Sequence, residues 1–415
     1  MVDHLFRHES GKLVSVLTGI FGSGNIDLAE DVVQDSLLEA MNQWQYKGAP
    51  DNPGAWLFRV AKNKALNILN REKYKRKYAA ELRHDFQSGL VEPVSDELFS
   101  GQHIHDDQLK MIFTCCHPAI SSDSQIALSL KTLCGFSIPE IAKAFLTTED
   151  NIQKRLVRAR QKIRDDNISF DLPHGNDLGK RLQAVLETIY LLFNEGYSAS
   201  TGNDLIRYEL CEEAIRLARI ITDHEMIRSK GSVFALLSLM FLNASRFTAR
   251  QDRDGNLLTL AEQDRTLWDN TLSSTGFYYL QQATENKDTS IYYFLAAISA
   301  AYCTAPDYAS TDWSTILTLY NNLIHLDHSP VILLNRAIVL SKVTGIKNAL
   351  AELELIKNNP AIRSYHLFYS TQAEFYIQLQ LREKAIQSLT LAIQLAPLQA
   401  EKQLLQLKLD TLHKK

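Results

Sequence analysis

The stretch Asp27-Leu28-Ala29-Glu30-Asp31-Val32-Val33-Gln34-Asp35-Ser36-Leu37-Leu38-Glu39-Ala40-Met41-Asn42-Gln43-Trp44 decides the fold class. At 100° per residue, Ala29, Val32, Val33, Leu37, Ala40 and Trp44 gather on one arc, and Asp27, Glu30, Asp31, Gln34 and Asp35 on the opposite one. That is an amphipathic helix with its apolar arc turned inward. The polar arc has no Lys at i+4 to neutralise it. An acidic stripe of this kind suits docking on a basic partner, and an ordinary solvated face is the alternative.

The same period runs through the 415 residues, with 17 Gly and 10 Pro, too few for a turn-rich sandwich or barrel. The reading is all-α, and the length fits two to four domains. Five Cys without framework spacing argue against a disulfide scaffold and for a reducing compartment. Met1 to Lys12 is polar, without the apolar core of a signal peptide, and no 18-residue apolar run is read, so no membrane span is expected. Net charge is −4, so any nucleic-acid signature has to be local. Between Arg59 and Arg83 stand nine Lys/Arg against two acids, whereas His84 to Asp107 has six acids and no Lys or Arg. A second basic cluster runs Lys154, Arg155, Arg158, Arg160, Lys162 and Arg164.

Pro53 or Gly54 opens a long helix to about Ala80. Leu57, Ala61, Ala65 and Ile68 keep to its inner face, while Arg59, Lys62, Asn63, Asn67 and Asn70 project elsewhere beside Trp56 and Phe58. Rings, cations and amides together are what single-stranded DNA asks for: stacking, phosphate contact and base-edge reading. Core packing is the other role open to Trp56. Further on, Ser137 to Ala142, a link at Thr147-Thr148 and Glu149 to Arg164 read as a helix-turn-helix. Ile138, Ile141 and Ala142 pack on Ile152, Leu156 and Ala159, and Thr147 or Thr148 caps the second helix. That helix presents Asp150, Lys154, Val157, Arg158 and Gln161 outward, suited to a major groove. Leu146 stands at a turn position often held by Gly.

The order of acidic helix, loop, aromatic-basic helix, acidic linker and four helices ending in helix-turn-helix resembles region 2 and region 4 of the extracytoplasmic-function (group 4) sigma factors of bacterial RNA polymerase. The matching residues are Ala29 to Asp35, Ala55-Trp56-Leu57 with Arg59 to Asn63, Gly135-Phe136-Ser137 with Glu140-Ile141-Ala142, and Arg155 to Arg160. Ile112 to Pro118 and Leu192 to Tyr197 look like a subfamily with a tetratricopeptide-like C-terminal extension. The resemblance implies promoter-specific initiation in the cytoplasm, with core polymerase docking at Asp27, Glu30, Asp31, Gln34 and Asp35 on the β′ coiled coil. It implies −10 contacts by Trp56, Arg59, Lys62, Asn63, Asn67 and Asn70, and −35 contacts by Asp150, Lys154, Arg155, Val157, Arg158 and Gln161, with region 4 also meeting the β flap. Asn67 and Asn70 depart from the Asp and Arg frequent in region 2.4.

The expected division is region 2 at 1–83, an acidic linker at 84–106, region 4 at 107–166 and a helical extension of eight to ten helices at 177–413. In the extension Leu333, Ala337, Leu340, Ala349, Leu353 and Ile356 recur 36 residues later as Tyr369, Ala373, Tyr376, Ala385, Leu389 and Ala392, with Pro360 and Pro397 closing each unit. This resembles tetratricopeptide helix pairs, and generic helical hairpins share the pattern. A concave stack of this kind suits a protein or peptide ligand, and the extension is expected to act on initiation in cis. No enzyme signature is present: no glycine-rich phosphate loop, G-x-S-x-G or H-E-x-x-H. Cys115-Cys116-His117 with His103 and His105 lacks the two-residue spacing of a zinc knuckle, so neither metal nor cofactor is expected. The competing reading is a helix-turn-helix regulator with a repeat sensor.

Overall fold

The computed structural model describes residues 2–81, 101–145, 147–197, 206–225, 227–252 and 257–414. Most of the expected acidic linker and Leu146 lie outside these residues. Among the described residues the elements are helices, with a single isolated antiparallel bridge between Gln251 and Leu257. The chain divides into two compact units, Met1–Leu191 and Leu192–Lys415.

In the first unit α1 (Val2–Phe21) runs through a 3₁₀ turn, Ser23–Asn25, into α2 (Ile26–Lys47), and α3 (Pro53–Glu81) follows. Then come α4 (Gly101–Cys115), α5 (Ser122–Thr132), α6 (Ile138–Ala144), α7 (Glu149–Asp165) and the first part of α8 (Asn176–Tyr197). α4 thus starts ahead of the Asp107 from which the sequence reads it. α1 is the hub, packed on α2, α3, α4 and α5. Leu13, Val14, Ser15, Val16, Leu17 and Thr18 are therefore all buried, right around its circumference. Gly11 belongs to this packing: a Cβ there would stand 2.1 Å from the Leu133 carbonyl oxygen at the end of α5. Ala29, Val32, Val33 and Ala40 of α2 and Leu57, Ala61 and Ala65 of α3 are buried as their period requires.

The helix-turn-helix forms because both starts are capped. Ser137 and Glu140 make a reciprocal capping box at α6, with Pro139 in its first turn. Thr148 caps α7 by accepting from the Asn151 amide at 3.2 Å, while Thr147 accepts from the Asn151 side chain at 2.6 Å. The segment after α7 is packed down: Ile168 and Leu172 are buried, and Ser23 Oγ donates to the Ile168 carbonyl. The first part of α8 is tied in as well. Arg181 donates to the Phe113 carbonyl at 2.6 Å and Thr188 to Gln125 Oε1 at 2.8 Å. The compact first unit therefore extends past residue 177, where the sequence reading begins the extension.

The second unit takes in the end of α8, α9 (Tyr208–Asp223), α10 (Gly231–Ala244), α11 (Asn270–Glu285) and α12 (Ile291–Thr304). It continues with α13 (Trp313–Leu323), α14 (Pro330–Val343), α15 (Ile346–Ile356), the short α16 (Pro360–Arg363), α17 (His366–Gln378), α18 (Arg382–Leu395) and α19 (Gln399–Lys414). From α8 onward the described residues form twelve helices, more than the eight to ten read from sequence. Residues 231–249 also correct the expectation that no membrane-length apolar run exists: their mean hydropathy is 1.3, and 67% of the window is buried. α10 lies among α9, α11 and α12, and a helix covered on all sides is apolar on all sides. The 36-residue recurrence corresponds to the pairs α14–α15 and α17–α18. Ala337 with Ala373, Ala349 with Ala385 and Leu353 with Leu389 are buried at equivalent places.

Candidate nucleic-acid interface

Three surfaces of different chemistry lie on the first unit. The acidic arc of α2 is split. Asp31, Gln34 and Asp35 are exposed, and Leu38 and Met41, 56% and 57% exposed, continue their face. Sequence reading passed over those two apolar residues, although the helical wheel places both on the acidic arc. Glu30 is placed differently from the sequence expectation of an open docking residue. It is buried, and its Oε2 accepts from Arg160 Nη2 of α7 at 2.6 Å. Arg160 Nη1 also reaches Asp27 Oδ1 at 2.7 Å, and Arg164 Nη1 reaches Asp27 Oδ2 at 3.1 Å. Burial raises the Glu30 carboxyl above the ordinary carboxylate range; the Arg160 charge and hydrogen bond oppose this with the smaller effect. Glu39 pairs with Lys64 at 3.1 Å and ties α2 to α3.

On α3, Arg59, Asn63, Asn67 and Asn70 are exposed and fall within one arc, while Lys62 is half-buried at its flank. Trp56 is half-buried, edge-on to Trp44 at 5.4 Å, and Trp44 lies 5.5 Å from Phe6. The ring is thus anchored in an aromatic cluster that keeps part of it open. The side chains of the basic run 72–77 lie outside the described residues.

On α7, Asp150, Lys154, Val157, Arg158 and Gln161 form the exposed face. Arg155, read from sequence as a partner of DNA, turns to the flank, where its Nη2 meets Asp123 Oδ2 of α5 at 3.2 Å. Here Arg155, Arg158 and Lys162 border a cavity of about 390 Å³ with Ser121 and Ser124, at the N-terminus of α5. Cations beside a helix start suit a phosphate, and Asp123, which also lines the cavity, is already paired with Arg155. The exposed face then meets the duplex, bases and phosphates alike, while Arg158 and Lys162 at the flank hold the backbone and Arg155 stays paired with Asp123.

Cys115, the last residue of α4, and Cys116 just after it are buried, 3.8 Å from the hydroxyls of Thr132 and Ser129 respectively. Burial raises both thiols, Cys116 to about 11, which keeps them protonated near neutral pH.

Comparison with known proteins divides the chain in the same order. Sigma-70 region 2 matches residues 5–74 and sigma-70 region 4 matches residues 110–163. A family of unknown function, DUF6596, matches residues 181–284. An uncharacterized protein of Rhizobium meliloti (strain 1021) is 34% identical over 389 residues, covering 94% of this chain and 90% of that protein. No solved structure matches. Region 2 carries α2 and α3, region 4 carries the helix-turn-helix, and the relationship to the Rhizobium protein runs almost end to end: the chain belongs to the sigma-70 family of promoter-specific transcription initiation factors, with DUF6596 behind region 4.

Proposed function

We propose that this protein is an extracytoplasmic-function sigma factor that docks on core RNA polymerase through the exposed face of α2. In this reading Asp31, Gln34 and Asp35 meet a basic surface, and Leu38 and Met41 add apolar contact. Arg59, Asn63, Asn67 and Asn70 hold the opened −10 strand against the partly open Trp56 ring, with Lys62 at the flank. Lys154, Arg158 and their neighbours on α7 read the −35 duplex, and Arg155 supports the phosphate seat. The observation that carries the reading is the presence, in one compact unit, of an acidic-apolar face, an amide-cation face and a helix-turn-helix face.

Distance adds a requirement. The −10 and −35 elements lie about 25 base pairs apart, roughly 85 Å along a duplex. A compact unit of 191 residues has a radius of gyration of only ~16 Å. Region 4 therefore has to leave region 2 before both elements are bound. That departure frees Asp27 and Glu30 from Arg160 and Arg164, so polymerase and α7 compete for the same carboxylates. In this reading the arrangement with Arg160 on Glu30 and Asp27 is a closed one.

Behind region 4, the DUF6596 helices and the tetratricopeptide-like pairs serve as a cis-acting regulator with a protein or peptide surface. A fragment ending beyond Tyr197, which keeps Arg181 and Thr188, tests that role. It is expected to differ from the full chain in promoter output, and identical output and core affinity would remove it. The sigma assignment is tested by reconstituted transcription with core polymerase alone, in which promoter-specific transcripts are expected. Dependence on a second sigma factor would instead favour a helix-turn-helix regulator.

A further inference from the structure

Arginines and aromatic rings alternate in the second unit. The Arg250 guanidinium carbon lies 3.9 Å from the Tyr197 ring centre, and Arg246 lies 6.0 Å from the same ring. Arg246 is also 5.6 Å from Trp268, which Arg265 approaches at 4.9 Å. Three cations and two rings thus form one ladder. Arg250 and Trp268 are more than nine-tenths buried.

Buried guanidinium groups ordinarily meet carboxylates, because an unpaired charge in the interior is costly. In this ladder neither buried Arg250 nor half-buried Arg246 and Arg265 do so. Arg250 donates to the Tyr197 carbonyl, and Arg246 to the Tyr197 hydroxyl at 2.7 Å. Arg265 donates to the carbonyls of Tyr302 and Ala305 at 2.6 and 2.5 Å and to Thr311 Oγ1 at 3.3 Å. Among the described residues no carboxylate oxygen lies within 4.0 Å of any of the three. Burial lowers the Arg250 and Arg265 values, and the positive charge of Arg246 lowers both further, although at Arg265 the Asp307 carboxylate opposes this with a larger effect than that of Arg246. Arg246 Nε and Trp268 Nε1 are buried donors without an acceptor. Cation–π contact offsets part of the charge but satisfies neither donor.

Next to the ladder is a cavity of about 480 Å³, a volume suited to a metabolite. Arg265 and Trp268, its last two members, line it together with Gln263, Asn270, Cys303 and Tyr308. Asp264 and Asp307 line it too; both are exposed, and each is already hydrogen-bonded, to Thr266 and to Ser310.

We propose that the second unit is a receptor for a small organic anion, whose phosphate or carboxylate group meets Arg265 and supplies the missing acceptor at Trp268, with the charge of Arg246 behind that ring. The body of the ligand occupies the cavity between Trp268 and Tyr308. Unit 2 is then a chemical sensor, and this inference does not depend on the sigma reading.

The test uses the full-length chain, titrated with inorganic phosphate, adenosine monophosphate or citrate at constant ionic strength, followed by calorimetry and thermal unfolding. Saturable binding with a raised melting temperature is expected. Phosphate and adenosine monophosphate acting without citrate identifies a phosphoryl ligand, and the reverse identifies a carboxylate. Trp268→Phe keeps the ring and removes the donor, so affinity should fall about tenfold. Arg246→Gln should weaken the anion response while leaving the melting temperature of the unliganded protein unchanged or higher, because it removes one of three mutually repelling charges. A ladder that is only structural behaves in the opposite way: Arg246→Gln lowers the melting temperature, and no probe binds saturably to the wild-type chain at millimolar concentration. That result overturns the proposal.

Discussion

Arg160 in the first unit and Arg250 in the second are both largely buried, and they are answered differently. Arg160, with a side chain 13% exposed, meets two carboxylates, Glu30 and Asp27, at 2.6 and 2.7 Å. Arg250 meets a carbonyl and the face of Tyr197. A buried cation paired within its own unit is a clasp, whereas Arg250, stacked on Tyr197 without a carboxylate, anchors the ladder whose other end, in the proposal above, receives an outside anion. Changing these residues should therefore have opposite consequences.

The largest effect is expected at the clasp. Arg160→Ala leaves Glu30 buried without its cation, and removing one member of a buried pair costs about 3 kcal/mol. Amide hydrogen exchange in α7 of the full chain should accelerate roughly a hundredfold. Arg246→Gln should leave exchange around α10 nearly unchanged. Equal acceleration in both units would erase the distinction between clasp and receptor.

Polymerase docking comes next. Asp31→Lys with Gln34→Lys should weaken core binding roughly tenfold or more, since each change sets a cation against a basic surface. Fold and α7 docking should survive, because both residues are exposed. Glu30→Lys should disturb binding and the clasp together. Unchanged core affinity of the Asp31/Gln34 variant in a pull-down at moderate salt would remove α2 as the docking face.

A smaller effect separates Glu30 from a surface ion pair. Its carboxyl value is raised in the folded chain, so it binds protons more tightly folded than unfolded. Its contribution to stability is full below the ordinary carboxylate value near 4.5 and is lost as pH rises through the folded value. The closed unit should thus tighten when pH is lowered from about 7 towards 5. An exposed pair loosens under the same change. Glu30→Gln should flatten this part of the profile, measured as α7 exchange against pH. A profile that loosens on acidification would show the Arg160 attraction to outweigh burial.

Much of the fold was legible because helical period is a local property. Leu57, Ala61 and Ala65 declare the inner face of α3, and Ser137 with Glu140 declares the start of α6. The limits were set by partners far along the chain. Glu30 and Asp31 share one arc of α2, and only Arg160, 130 residues away, decides which is buried. Arg155 stands beside Lys154 in a basic run, yet Asp123 draws it to the flank. Leu38 and Met41 were on the exposed arc all along; apolar character hid them from a search for charge. The ladder of Tyr197, Arg246, Arg250, Arg265 and Trp268 has no sequence period, since turns rather than one helix bring its members together.

The smallest effect on stability is expected on the exposed face of α7, where it sharpens the comparison for cations that neither clasp nor wait. Lys154 pairs with Asp150 at 2.7 Å, but both side chains are more than 60% exposed. Such a pair is screened and worth ~0.5 kcal/mol or less. Lys154→Ala should therefore leave the melting temperature nearly unchanged while lowering the salt dependence of duplex binding by about one phosphate contact. Arg155 is held at 24% exposure against Asp123, so Arg155→Ala should loosen α5 from α7. It should change the salt slope less, because much of that charge is already committed to a carboxylate. Duplex binding measured across a salt series, together with thermal unfolding, separates the two. Equal slope changes without any loss of stability would place Arg155 on the duplex beside Lys154, and would mean that its pairing with Asp123 yields when DNA arrives.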